Sequence, residues 1–124
     1  MCFEIHSRYP KPQVAKRDIV CYKSVFAEFN DNGEDLEYYS IHQSFVYETG
    51  TEYSLGKELK VRDGLSIYEG FHSFSNKKKL QHWNTDEYAH LKCIIPAGST
   101  YYYNPNYKEY VSDRIRIVEE IDED

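Results

Sequence analysis

An α+β fold dominated by β-structure is predicted by three observations. Runs dense in β-branched and aromatic residues recur along the chain, glycines and Asn/Pro turns cut them short, and a helical start signal stands out near residues 76–84. Thirteen of the 124 residues are tyrosine, so aromatic packing must supply much of the burial that a thin aliphatic core cannot.

Taken in order, residues 1–14 read as an N-terminal arm interrupted by Pro10 and Pro12. Asp18 to Phe29 holds Ile-Val-Cys-Tyr-Lys-Ser-Val-Phe-Ala-Glu-Phe with no Gly or Pro, which predicts the first central strand. Asn30-Asp31-Asn32-Gly33 turns the chain into an acidic loop. Gly50, Gly56, Gly64 and Gly70 then break the middle into short strand-like pieces at Phe45 to Glu48, Glu52 to Leu55, Glu58 to Val61 and Leu65 to Glu69. Ser75-Asn76 before Lys77-Lys78-Lys79-Leu80-Gln81-His82-Trp83 predicts a cap and two helical turns, with Leu80 and Trp83 on one face. A C-terminal β-hairpin region follows: His90 to Ile95, a turn at Pro96-Ala97-Gly98, Thr100 to Tyr103, a turn at Asn104-Pro105-Asn106, and Tyr107 to Val111. Ile115 and Ile117 belong to a last strand that leads into an acidic tail over 119–124.

The length fits a single globular domain over 1–124. No apolar run approaches the roughly 20 residues of a membrane span. Three cysteines cannot all pair within one chain, and a reducing bacterial cytoplasm suits them best. A net charge of −6 disfavours sequence-independent binding to nucleic acid and leaves direct sequence-specific binding unexpected as well. The acidic stretch with Glu34, Asp35 and Glu37 suits either a solvated loop or a basic groove on another protein.

Neither a phosphate loop, nucleophile elbow, HExxH nor kinase set is present, so no cofactor and no metal are expected. His90-x-x-Cys93 has a local metal-like spacing, but on a strand the two side chains point to opposite faces. In Gly70-Phe71-His72-Ser73-Phe74 the glycine permits a tight turn, the phenylalanines anchor the segment, and His72 and Ser73 are candidates to face a cleft. Arg114 and Arg116 alternate with Ile115 and Ile117, giving a two-arginine face that suits an anion or neighbouring carboxylates. Tyr101, Tyr102, Tyr103, Tyr107 and Tyr110 form the densest aromatic cluster and the candidate binding surface.

The segments Asp18-Ile19-Val20-Cys21-Tyr22-Lys23, Glu69-Gly70-Phe71-His72-Ser73-Phe74, Leu91-Lys92-Cys93-Ile94-Ile95-Pro96-Ala97-Gly98-Ser99 and Tyr110-Val111-Ser112-Asp113, in this order, resemble a family of small phage, prophage and Bacteroidetes proteins without an assigned activity. The resemblance implies a phage or mobile-element setting. A second resemblance is to the minimal ADP-ribosyltransferase-like fold, with Lys23 where that scaffold has Arg or His, His72-Ser73 in the middle and Glu109 in the late acidic position.

Two functional expectations result. The first is a non-enzymatic phage-type protein that inhibits a bacterial defence system, for example an anti-CRISPR protein on a CRISPR effector, through the tyrosine cluster with Glu34, Asp35 and Glu37. Its partner would be a host or defence-system protein, including a ribonucleoprotein. The alternative is a nucleotide binder or enzyme on a degenerate ADP-ribosyltransferase-like scaffold, with catalytic candidates His72, Ser73 and Glu109 and a ligand cleft of Tyr22, Lys23, His72 and Arg116. A plain structural domain would instead bury most of its tyrosines.

Overall fold

Residues 3–29, 36–40, 46–63, 65–83 and 88–121 are described by the computed structural model. The strands are β1 Phe3–Glu4, β2 Gln13–Val14, β3 Ile19–Phe29, β4 Leu36–Ser40, β5 Val46–Tyr47, β6 Glu52–Ser54, β7 Val61–Arg62, β8 Ser66–Ile67, β9 Phe71–Phe74, β10 Tyr88–Ile95, β11 Thr100–Asn104, β12 Glu109–Ser112 and β13 Arg114–Ile121. All the pairings among them are antiparallel, and the protein is a small β-dominated domain. The expected central strand is β3, and the glycine-punctuated middle supplies β5 to β8.

The helical expectation needs correction. Lys77–Trp83 is a 3-10 helix, not two α-turns. Asn76 caps it, accepting from Lys78 N at 2.9 Å, and fully buried Leu80 anchors it. Three lysines crowd its first turn with no acidic residue among them, so the positive end of the helix meets like charge. The α component of the predicted class is therefore a single short 3-10 segment among the described residues.

Strand order in the large sheet is β2-β11-β12-β9-β3-β10-β13-β6, with β4 also on β3 and β5 on β4. Asp113 alone separates β12 from β13, so the path β12-β9-β3-β10-β13 returns to the strand it left and forms a barrel-like ring. The corner is well held. Asp113 Oδ1 accepts from Thr100 N at 2.9 Å, Asp113 N donates to Thr100 O at 3.0 Å, and Leu55 N donates to Asp113 O at 2.8 Å.

Period-2 alternation fills the ring. Cys21 and Val25 from β3, Ala89, Leu91, Cys93 and Ile95 from β10, Phe71 from β9, and Ile115 and Ile117 from β13 form one buried cluster with Tyr47. Val118 is skipped where Lys92↔Glu119 is followed by Cys93↔Ile117, a bulge that keeps Lys92 opposite Glu119. The arginines of β13 lie half-buried on the face away from its fully buried isoleucines.

A second, smaller sheet, β1-β8-β7, covers the other face of β12, where Phe3, Ile67, Tyr102 and Val111 pack together. Residues 3–14 are thus more than an arm, because Phe3 is fully buried and β2 extends β11. The tail expectation also shifts, since β13 carries Glu119 and Glu120 in register with β10, and 122–124 lie outside the described residues. Among the described residues no helix is long and apolar enough to cross a membrane.

Asn104 ties the two sheets. Its Nδ2 donates to Glu4 O and its Oδ1 accepts from Asn106 N, both at 2.9 Å, and the residue is buried. Asn104→Ala leaves two backbone groups without these partners and should cost about 1–2 kcal/mol, read as a lower urea midpoint at unchanged m-value.

Candidate functional site

The seam between β3 and β9 is where chemistry concentrates. These strands pair only at Tyr22↔Phe74, and from Val25 onward the same edge of β3 pairs with β4. The gap frees the His72 carbonyl from the ladder. Lys23, on the inward-facing set of β3 and only 9% exposed, fills it: Nζ donates to His72 O at 2.7 Å and lies 5.6 Å from the centre of the Tyr47 ring. Burial pulls the Lys23 ammonium below its ordinary range, opposed by Cys93, Cys21 and Glu109.

On the opposite face of β9, His72 and Glu109 meet diagonally across the β9–β12 pair, with Nδ1 3.8 Å from Oε2. That distance is an ion-pair approach and not a hydrogen bond. His72 Nε2 lies 3.4 Å from Tyr68 O. Glu109 is buried, and desolvation pushes its carboxyl up to about 7, with Lys23 pulling it down and Glu4 pushing it further up. A carboxyl that titrates near neutrality beside an imidazole is the arrangement general acid–base chemistry uses.

Two corrections, to Ser73 and Arg116, concern the residues expected at this cleft. Ser73 is adjacent to His72 on a strand and so points the other way, into the ring beside Cys21, where its Oγ makes no well-aligned hydrogen bond. His72 and Ser73 therefore do not share a cleft. Arg116 lies apart, with Nη2 3.5 Å from Asp18 Oδ2. Tyr22 is half-buried and alternates with Lys23, sharing the Phe74 face. Lys23 thus meets the His72 carbonyl from the ring side, while the His72 and Glu109 side chains lie on the other face, the one that Tyr22 shares. The register also sets His90 against Ser24 and Cys93 against Cys21, on opposite faces of β10, so His90 and Cys93 cannot hold one ion.

The tyrosine cluster divides by the same period. Tyr101 and Tyr103 on β11 and Tyr110 on β12 share one face: the Tyr101 and Tyr110 rings meet edge-on at 5.9 Å and 73°, and those of Tyr103 and Tyr110 at 4.7 Å and 39°. Their hydroxyls are held as well, Tyr101 donating to Gln13 Oε1 at 3.0 Å and Tyr103 lying 3.3 Å from Ser75 Oγ. Burial, then Tyr103, Cys21 and Tyr101, pushes the Tyr110 phenol up to about 12. Tyr107, in the hairpin turn, is 50% exposed.

Tyr102 is the exception. It points to the opposite face, 5% exposed, with its ring 6.4 Å from that of Phe3, and belongs to the core and not to a binding surface. Glu34 and Asp35 lie outside the described residues; Glu37 falls on β4, opposite Glu28 in register.

The thiols were not singled out from the sequence as a pair. Cys21 and Cys93 are 72 positions apart, and only the β3–β10 register sets them opposite each other. The available signal was local: a lysine in the odd-numbered set Ile19, Cys21, Lys23, Val25, which otherwise reads as inward-facing.

No family model, curated protein or solved structure matches this chain.

Proposed function

We propose that this is a non-enzymatic binding protein of the phage type that inhibits a bacterial defence system by occupying a protein or ribonucleoprotein effector. The observation that carries this reading is the partly buried Tyr101–Tyr110–Tyr103 platform, seated on the core through Tyr110 and held by its own ring contacts and by hydrogen bonds to Gln13 and Ser75, with exposed Tyr107 at the adjoining turn. Rings fixed before binding lose little conformational entropy when a partner docks, and tyrosine serves such surfaces well. The net charge of −6 suits a partner with a basic groove, such as the nucleic-acid channel of a CRISPR effector.

The test is retention of a purified effector complex on the immobilised protein. Tyr101→Ala with Tyr107→Ala should weaken binding by about a hundredfold, as expected when central aromatic anchors are removed, while the melting temperature shifts by no more than a few degrees. Undiminished binding by this folded variant would exclude the platform.

A second reading, a nucleotide-binding protein on a degenerate ADP-ribosyltransferase-like scaffold, is favoured by the His72–Glu109 pair with its near-neutral carboxyl. It predicts that an adenine nucleotide at about 100 times its Kd stabilises the fold by about 2.7 kcal/mol, and that His72→Ala abolishes the shift. A panel of adenine nucleotides and cyclic dinucleotides without any thermal shift would exclude it.

A further inference from the structure

We propose that Cys21 and Cys93 are a modification site, forming a reversible cross-strand disulfide inside the ring when the protein meets a peroxide. The two residues are direct register partners on β3 and β10, both fully buried. Directly opposed antiparallel residues have Cα atoms about 4.5–5.5 Å apart, inside the range of about 4.4–6.8 Å that a disulfide requires. Side chains of paired residues leave the sheet on the same face, and both thiols belong to the same buried cluster. Neither strand has to move far for the bond to form.

The surroundings distinguish the two sulfurs. Cys21 is drawn below the ordinary thiol range chiefly by its hydrogen bond with Cys93, with Ser73 and Lys23 adding to the effect against burial. Cys93 is pushed well above it by that same contact and by burial, and its Sγ lies 3.9 Å from Leu91 O. These positions assign the roles. Cys21 sulfur, as thiolate, attacks one peroxide oxygen; the S–O bond forms, the O–O bond breaks, and the departing hydroxide takes up the proton that Cys21 released, leaving as water. Cys93 sulfur then attacks the Cys21 sulfenic acid; the S–S bond forms, the S–O bond breaks, and the second oxygen leaves as water with the Cys93 proton. Two thiols lose two electrons and two protons, and one peroxide becomes two waters. Lys23, bridging the β3–β9 seam two residues along the same face of β3, places a cation beside the attacking sulfur.

The experiment treats the folded wild-type protein with hydrogen peroxide, blocks remaining thiols under denaturing conditions, and maps the digest by mass spectrometry. The expected result is a Cys21–Cys93 linked peptide lighter by two hydrogens, reversed by dithiothreitol, with a melting temperature several degrees higher in the oxidised protein because the bond closes a long loop. Thiols at 21 and 93 that remain alkylatable, oxygen adducts without the link, or pairing of either residue with Cys2 would each overturn the proposal. Lys23→Met should slow link formation in the folded protein about tenfold, the loss of a neighbouring cation that favours thiolate. An unchanged rate in that folded variant would overturn the role given to Lys23.

Discussion

Glu109→Gln should make the protein more stable at pH 8 and flatten its pH profile. Glu109 is buried and ionises at about 7 in the folded chain, against 4.5 for a free glutamate. Between those values the folded state holds a proton that the unfolded state has already released, so stability falls as pH rises and levels off above about 7. The full difference is about 3 kcal/mol, set chiefly by desolvation of the buried carboxylate. Glutamine keeps the shape without the charge, so the variant should gain about 2 kcal/mol over the wild type at pH 8 and little or nothing at pH 4.5. Urea midpoints measured at half-unit pH intervals decide it: a wild-type profile without a decline between pH 4.5 and 7 would place Glu109 in contact with water. Under the nucleotide-binding reading the same substitution removes the near-neutral carboxyl, so a gain in stability with a loss of ligand response would mark a functional compromise at this position.

How much of this was legible in the sequence depends on the range of the interaction concerned. β3, β10, the β11–β12 hairpin and the Ile/Arg alternation of β13 follow from local composition and period, and they are found where the residues indicate. The same period applies to Tyr101, Tyr102 and Tyr103: three consecutive strand residues cannot all face outward, so one had to oppose the other two. What the local pattern lacked was register. The ring closes because β12 and β13 are one strand bent at Asp113, with hydrogen bonds to Thr100 and Leu55 that no single segment foretells. Lys23 reaches His72 across 49 positions, and its burial depends on β3 exchanging β9 for β4 along one edge. The helical segment lies where its cap signal put it, but as a 3-10 helix, since its first turn carries only positive charge.

Gly70→Ala should be among the most damaging single-methyl additions available to this chain. Gly70 sits at φ +141°, a conformation that side chains disfavour, at the entry to β9. A Cβ there would stand 2.6 Å from Val111 Cγ2, 2.9 Å from Leu59 Cδ2 and 3.3 Å from Ser112 O. Val111 is fully buried and cannot swing aside, so the backbone of β9 must move away from β12. Strain and overpacking together should cost about 3 kcal/mol, or about 10 °C in melting temperature for a domain of this size. The displacement would also separate His72 from Glu109, because their approach is set by the β9–β12 register. Steric origin can be checked by adding Val111→Ala. If the clash dominates, the double variant loses less stability than the sum of the two single losses, by about 1 kcal/mol or more. Additive losses would assign the cost to the φ angle alone, and a Gly70→Ala protein as stable as the wild type would mean that β9 enters the sheet by another path.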